Sequence, residues 1–177
     1  WKYILITLFL VIFIILIIWL NKRTERKIRH FKKIEFLHTN EILNRTDINY
    51  IDTVVYVGLK ELGVRYVTVI VYPLNENIKN NFPPEFELKA HIRGVGSNYI
   101  IWIDDMSKLE TIQVLSHELI HLQQYYTKKL IYSDSVTIWN NQVMDINTLD
   151  YNSRPWEIEA FQQETSLEKK MLKDLFE

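Results

Sequence analysis

The chain has 177 residues, a formal net charge of −1 at pH 7 and no cysteine. The absence of cysteine excludes disulfide bonds and thiolate catalysis, and the near-neutral charge argues against a nucleic-acid-binding protein. Once an apolar N-terminal stretch is set aside, about 140 residues remain, which suits one domain with its own core.

Residues 3–20 form an almost unbroken apolar run without a charged side chain. At 1.5 Å per residue this run spans about 27 Å as a helix, close to the thickness of a bilayer's hydrocarbon core. Trp1, Tyr3 and Trp19 lie near its ends, as interfacial aromatic residues do. The small residues of a signal-peptide cleavage site do not follow it. We therefore predict a retained transmembrane helix over residues 1–20, with a buried core helix as the alternative.

Basic residues follow the apolar run: Lys22, Arg23, Arg26, Lys27, Arg29, Lys32 and Lys33. Positive side chains flank the cytoplasmic side of most membrane spans. This pattern predicts a basic juxtamembrane helix or linker over residues 21–45 and a single-pass protein whose soluble domain, residues 46–177, faces the cytoplasm. The basic cluster is interpreted as a topogenic, solvated charge run, with contact to anionic lipid headgroups as the alternative. Because the cluster adjoins the bilayer, no nucleic-acid partner is predicted.

The patterns of residues 46–177 alternate between helix and strand, which predicts an α+β domain. The apolar spacing over residues 47–62 is typical of a helix that ends at Gly63. The other predicted elements are strands over residues 64–72, 86–92 and 99–104, a polar loop over 73–84, a hairpin turn over 94–98 and a second hairpin over 129–145.

Residues 106–127 contain neither glycine nor proline, and Ser107 and Glu110 have the spacing of a capping box. Apolar side chains recur at helical spacing, at Leu109, Ile112, Leu115, Ile120 and Leu122. This pattern predicts a largely buried helix.

His117, Glu118 and His121 form the pattern H-E-x-x-H on this helix. Residues four apart lie on one side of an α-helix, so both imidazoles can bind the same metal ion. Zn²⁺ lowers the pKa of a bound water to about 7, and Glu118 follows the first ligand directly, where it can take that water's proton. The alternative is a buried helix with two hydrogen-bonded histidines and no metal.

A third metal ligand is expected on the helix that begins at Pro155. Glu157 and Glu159 are the two candidate carboxylates near its start. They lie two residues apart and point to different sides of the helix, so only one of them can bind the same ion. The residues themselves leave this choice open.

The H-E-L-I-H motif and the later E-x-E-A segment together resemble the gluzincin metallopeptidases, especially the small single-domain members called minigluzincins. The resemblance covers approximately residues 100–165. It implies a small zincin-like domain with a short sheet, a motif helix and a ligand helix. It also implies Zn²⁺ as the cofactor and the Glu three residues before Ala160, which is Glu157, as the third ligand. Many of these relatives carry Asp or Asn after the Ala to orient a ligand, whereas this chain has Phe161.

The resemblance further implies a peptidase that acts on polypeptides, with Glu118 as the general base. It implies that an edge strand beside the motif helix holds the substrate extended, and residues 99–104 are the candidate. With the apolar segment, the prediction is a membrane-anchored zinc peptidase. The alternative is a catalytically inactive zincin-fold structural or interaction protein at a membrane, which Phe161 favours.

Several features are left undecided by the sequence. The donor that stabilises the oxyanion is not selected among Tyr125, Tyr126, Tyr151 and Arg154. Gln124 shares the side of the motif helix that carries the ligands, and a packing or surface role is expected for it. The oligomeric state cannot be derived from the residues.

Overall fold

The structure, a computed structural model, describes residues 48–80, 82, 87–132 and 136–177. The predicted transmembrane helix over residues 1–20 and the predicted basic segment over residues 21–45 lie outside this part of the chain. Within the described ranges, no helix combines the length and the apolar character that crossing a bilayer requires.

The described residues form an α+β domain, which confirms the predicted fold class. In chain order the elements are α1 (Ile48–Glu61), β1 (Thr68–Pro73), α2 (Glu76–Lys79), β2 (Ala90–Val95), β3 (Asn98–Ile103), α3 (Lys108–Tyr126), β4 (Leu130–Tyr132), β5 (Thr137–Trp139), β6 (Gln142–Met144), a 3₁₀ turn (Tyr151–Ser153) and α4 (Pro155–Phe176).

The larger sheet has the strand order β1-β3-β2. Strand β3 pairs in parallel with β1 and antiparallel with β2, so it lies in the centre and β2 forms an edge. The prediction that residues 99–104 form the exposed edge strand is therefore wrong. Both sides of β3 are occupied by ladder hydrogen bonds, and its backbone has no groups left for a substrate. The edge strand next to α3 is β2.

The hairpin between β2 and β3 turns more tightly than predicted. Its turn consists of Gly96 and Ser97 alone, because Val95 and Asn98 already pair across the ladder. Gly96 has a φ of +64°, which glycine adopts without steric cost. Gly94 belongs to β2 itself, where a Cβ would overlap the ring of the buried Tyr99. Gly94, one of the two glycines that predicted the turn, therefore allows β2 to approach β3 closely.

Strand β1 begins later than the β-branched run predicted. Tyr66 has a φ of 60°, outside the region of extended backbone, and the strand starts only at Thr68. The second hairpin predicted over residues 129–145 is instead a three-stranded antiparallel meander, β4-β5-β6. Its second turn is formed by Asn140 and Asn141, which both have positive φ and fit the preference of Asn for such two-residue turns.

Helix α3 lies in the centre of the core, in contact with α1, α4 and β2. Five of its apolar side chains are fully buried: Ile112, Leu115, Leu119, Ile120 and Leu122. A helix buried on several sides is fixed by packing in its rotation as well as its position. The side chains that α3 presents to its remaining side are therefore held in defined places.

Candidate metal centre

Helix α3 begins at a formed cap and runs through the H-E-x-x-H motif. The Ser107 hydroxyl accepts a hydrogen bond from the Glu110 backbone N–H at 3.4 Å, so the predicted start is confirmed. The imidazoles of His117 and His121, one turn apart, have ring centroids 4.8 Å apart and nearly perpendicular planes. Both rings project from the same side of α3, towards the first turn of α4.

Glu157 in the first turn of α4 meets these two imidazoles. Its Oε2 atom lies 3.3 Å from His117 Nε2 and 3.2 Å from His121 Nε2, and the two Nε2 atoms are 3.1 Å apart. Pro155 occupies the first turn, where its missing N–H and fixed φ favour the helix start. The structure thus brings together His117, His121 and Glu157 from two helices.

Glu159, the other candidate, points away from the two histidines. Its carboxylate pairs with Lys129 Nζ at 2.5 Å and accepts a hydrogen bond from Gln163 at 2.9 Å. Its second oxygen lies 3.4 Å from the Nε2 atom of Gln124. Glu159 therefore acts on the site only through Gln124.

Gln124 fixes the protonation of His121. The Gln124 Nε2 group donates to the Trp156 carbonyl at 3.0 Å, which orients the amide so that its Oε1 atom faces His121 Nδ1 at 2.9 Å. An amide oxygen can only accept, so the Nδ1 atom of His121 carries the hydrogen. In the neutral ring, the Nε2 atom then presents a lone pair to the space shared with Glu157. The prediction of a packing or surface role for Gln124 did not include this contact.

Glu164 fixes the position of the Nδ1 hydrogen of His117 in the same way. Its Oε2 atom lies 2.7 Å from His117 Nδ1, although the two residues are 47 positions apart in the chain. The carboxylate accepts, so Nδ1 carries a hydrogen, and in the neutral ring the Nε2 lone pair is free. The Phe161 ring packs on the His117 ring with centroids 4.8 Å apart. Glu157, Phe161 and Glu164 follow i, i+4, i+7 spacing, so the orienting carboxylate comes one turn later than the resemblance to gluzincins predicts.

Three lone-pair-bearing atoms therefore face one point. Ligand atoms around a tetrahedral Zn²⁺, with bonds of about 2.0–2.1 Å, lie about 3.3 Å from one another. The separations of 3.1–3.3 Å between the Nε2 and Oε2 atoms match this value. The group of His117, His121 and Glu157 can hold a metal ion, and three ligands on one side leave a fourth position open towards the cleft.

The charges around the triad attract a cation. Burial disfavours the charged form of His117, but hydrogen bonds to Glu157 and Glu164 and the nearby Glu118 outweigh it and raise the pKa of His117 to about 9. Burial also opposes ionisation of Glu157, yet its contacts with both imidazoles and with Tyr151 hold its pKa well below the ordinary range. The site thus favours a positive charge between its ligands, whether a proton or a metal ion.

Glu118 lies beside the triad with only 8% of its surface exposed. Its carboxylate accepts a hydrogen bond from the backbone N–H of Ile92 on the edge strand. Burial raises the pKa of Glu118, and the imidazoles of His121 and His117 oppose that shift. The carboxylate is therefore held next to the metal-binding position in an environment that increases its basicity.

A cleft of about 970 Å³ opens over the triad, lined by β2, α3, the segment before α4 and the start of α4. Of the four candidate oxyanion donors, Tyr125, Tyr151 and Arg154 line this cleft. Burial and the Glu157 carboxylate raise the pKa of Tyr151, so its phenol stays protonated and donates to Glu157. Tyr126 is 40% exposed and is not among the lining residues.

No protein-family model, no curated protein and no solved structure matches this chain. The resemblance to gluzincins therefore depends on its two motifs.

Proposed function

We propose that this protein is a membrane-anchored zinc peptidase. The observation that carries the proposal is the triangle of His117 Nε2, His121 Nε2 and Glu157 Oε2, with sides of 3.1–3.3 Å. A site in which both imidazoles have their Nδ1 hydrogens committed to acceptors is suited to Zn²⁺, which prefers nitrogen and oxygen ligands in tetrahedral geometry. The wide cleft over the open position provides access for a polypeptide.

Zinc bound at these three atoms would polarise the scissile carbonyl and lower the pKa of a coordinated water to about 7. Glu118 would take up the proton of the attacking water and pass it to the leaving amine. Its burial and its backbone contact to Ile92 N–H suit a group that must be protonated and deprotonated in one cycle. Tyr125, a protonated phenol that lines the cleft, is the candidate donor to the oxyanion, because the Tyr151 hydroxyl already donates to Glu157.

The substrate backbone is proposed to bind along β2. Lys89 C=O accepts from Asp104 N–H at 2.8 Å, so Lys89 and every second residue after it face β3. Ala90, Ile92 and Gly94 therefore direct their backbone groups to the free edge, where the Ile92 N–H meets Glu118. The remaining groups can pair with an extended peptide, as in β-strand addition.

The proposed location follows from the sequence. The apolar run over residues 3–20 and the basic residues after it favour a single-pass anchor with the domain on the cytoplasmic side. A substrate at or near the same membrane surface would then encounter the cleft at a raised local concentration.

The alternative, an inactive zincin-fold interaction protein, was favoured by Phe161 in place of an orienting carboxylate. Glu164 places a carboxylate 2.7 Å from His117, which removes this ground for the alternative, whereas the unassigned oxyanion donor, its second ground, stays. Metal-dependent turnover distinguishes the two functions.

The test uses the full chain in detergent or nanodiscs, loaded with one equivalent of Zn²⁺ and mixed with a library of peptides. We expect cleavage that a chelator abolishes and that Glu118→Gln lowers about 1,000-fold without loss of zinc. The control is Glu168→Gln, a carboxylate on α4 away from the cleft lining. Bound zinc without cleavage of any peptide, or equal cleavage by the Glu118 variant, contradicts the proposal.

A further inference from the structure

Arg154 has a buried hydrogen-bond donor without a partner. The residue directly precedes α4 and lines the cleft. Its Nε atom is one of two buried side-chain polar atoms without a hydrogen-bond partner in the described part of the chain. No carboxylate of those residues lies within ion-pairing distance of its guanidinium either. A buried donor left unmade is costly, and the guanidinium of this cleft-lining residue keeps its hydrogen-bonding capacity for a ligand of the cleft.

The guanidinium is held close to the metal ligands. Its Cζ atom lies 5.4 Å from the centroid of the Tyr151 ring, a cation–π contact, and the Tyr151 hydroxyl donates to Glu157. The backbone is fixed as well, because Arg154 N–H donates to the Tyr151 carbonyl at 3.1 Å and Arg154 C=O accepts from Ile158 N–H at 3.0 Å. The charged group is therefore one side chain away from the third ligand.

The carboxylates that lie near Arg154 in the cleft do not neutralise it. Glu157 is engaged with the two imidazoles and Glu164 with His117. Asp150 also lines the cleft, but it is exposed and lies beyond ion-pairing distance of Arg154. The exposed Arg93 of β2 also lines the cleft and adds a second positive charge. The cleft thus presents guanidinium charge to whatever occupies it.

We propose that Arg154 binds a carboxylate of the substrate next to the bond that is cleaved. A guanidinium has five N–H donors in a planar fork that matches a carboxylate in two parallel hydrogen bonds. The carboxylate comes either from an acidic side chain or from the C-terminus of the peptide. This substrate preference rests on the proposed peptidase function, which it makes more specific.

The test compares matched peptides cleaved by the zinc-loaded full chain. One pair has Glu or Gln at the residue beside the scissile bond, in a sequence selected from the library. A second pair ends there with a free carboxylate or with an amide. We expect wild-type kcat/KM to be about 10–100-fold higher for the carboxylate member of one pair, and the pair that shows the effect identifies the source of the carboxylate.

Three variants assign the preference to the side chain. Arg154→Gln is expected to abolish the preference by slowing only the carboxylate peptide, and Arg154→Lys to retain part of it, since an ammonium keeps the charge without the fork. The control is Arg65→Gln, an exposed arginine outside the cleft lining. Zinc content is measured for each variant, because a purely structural role for Arg154 would lower metal binding and all peptides equally.

Failure of this proposal is distinguishable from failure of the peptidase proposal. The zinc-loaded Glu118→Gln variant is titrated with the same peptides carrying fluorescein, and binding is followed by anisotropy. Tighter binding of the carboxylate member that requires Arg154 supports the inference even if nothing is cleaved. Equal kcat/KM and equal binding for both members of both pairs, or a preference unchanged in Arg154→Gln, overturns it while leaving cleavage itself intact.

Discussion

The two sides of the cleft differ in how completely their polar groups are paired. On the helical wall, formed by His117, His121, Glu157 and Glu164, each ring nitrogen has a partner within 3.3 Å. On the open wall, formed by β2 and Arg154, the edge strand pairs with β3 on one side only, and the buried Nε atom of Arg154 has no hydrogen-bond partner among the described residues. We therefore expect the helical wall to be preorganised for a small ion and the open wall to be completed by a larger ligand.

Removal of a candidate metal ligand from the helical wall should lower zinc affinity most. Glu157→Gln replaces a carboxylate that meets both imidazoles with an amide that carries no charge. We expect zinc affinity to fall by more than the about 10–100-fold that outer partners contribute, so that dialysed protein retains no zinc. Competition with a fluorescent chelator measures the affinity. Glu168→Gln on the same helix is the control, and a Glu157 variant that keeps one zinc per chain would remove this residue from the ligand set.

The two orienting residues should have smaller effects on the same wall. Glu164→Ala and Gln124→Ala each remove the acceptor for one imidazole Nδ1 hydrogen. Each is expected to weaken zinc binding about 10–100-fold, because the ring loses its fixed tautomer and orientation. The same chelator competition applies. If Glu164→Ala binds zinc as tightly as the wild type, Glu164 has no orienting role.

The free energy of unfolding is expected to be sensitive to added volume at Gly94, in the strand that forms the open wall. Gly94→Ala places a methyl group against the ring of Tyr99, which is 1% exposed and cannot move aside freely. Overpacking of this kind lowers the free energy of unfolding by about 1–3 kcal/mol. Urea unfolding followed by tryptophan fluorescence measures the change. The matched control is Gly96→Asn in the turn, where Asn tolerates positive φ and an added Cβ has open space. Equal stability of wild type and Gly94→Ala would show that β2 is not locked to β3 as described.

Asp52 can be compared with Arg154, because it also has a buried side-chain atom without a hydrogen-bond partner but does not line the cleft. Asp52 on α1 has such an oxygen, and burial raises its pKa from 3.8 to about 6. Folding therefore disfavours its ionised form, and the free energy of unfolding falls as pH rises from about 4 to about 6. Asp52→Asn should be more stable than wild type above pH 6, by about 1 kcal/mol after allowance for its partial exposure, and no more stable below pH 4. Urea titrations at pH 4 and pH 7.5 test this, and an equal difference at both values would contradict it.

The sequence predicted the parts of the site that depend on local periodicity. His117 and His121 lie one turn apart, so helix geometry alone brings their rings together, and the cap at Ser107 is equally local. Glu157 required the resemblance to gluzincins, because the residues alone left Glu159 open. Gln124 and Glu164 could not be assigned, since their roles depend on how α4 packs across α3.

The strand order could not be predicted from the sequence pattern either, because it also depends on contacts between residues far apart in the chain. Consecutive strands joined by a short turn predict a hairpin, and β2 and β3 do pair as one. The parallel pairing of β1 with β3 joins residues about thirty positions apart, such as Thr68 and Asn98, and leaves no local signature. It is this pairing that buries β3 and leaves β2 as the edge beside the metal ligands.

The most direct test of the account is X-ray absorption spectroscopy of the full chain loaded with one equivalent of Zn²⁺. We expect a four-coordinate ion with nitrogen and oxygen ligands at about 2.0–2.1 Å, two of them imidazoles. In His121→Ala, the scattering from one imidazole ring should be lost. A chain that binds no zinc, or an ion whose imidazole signal is unchanged by that substitution, would contradict it.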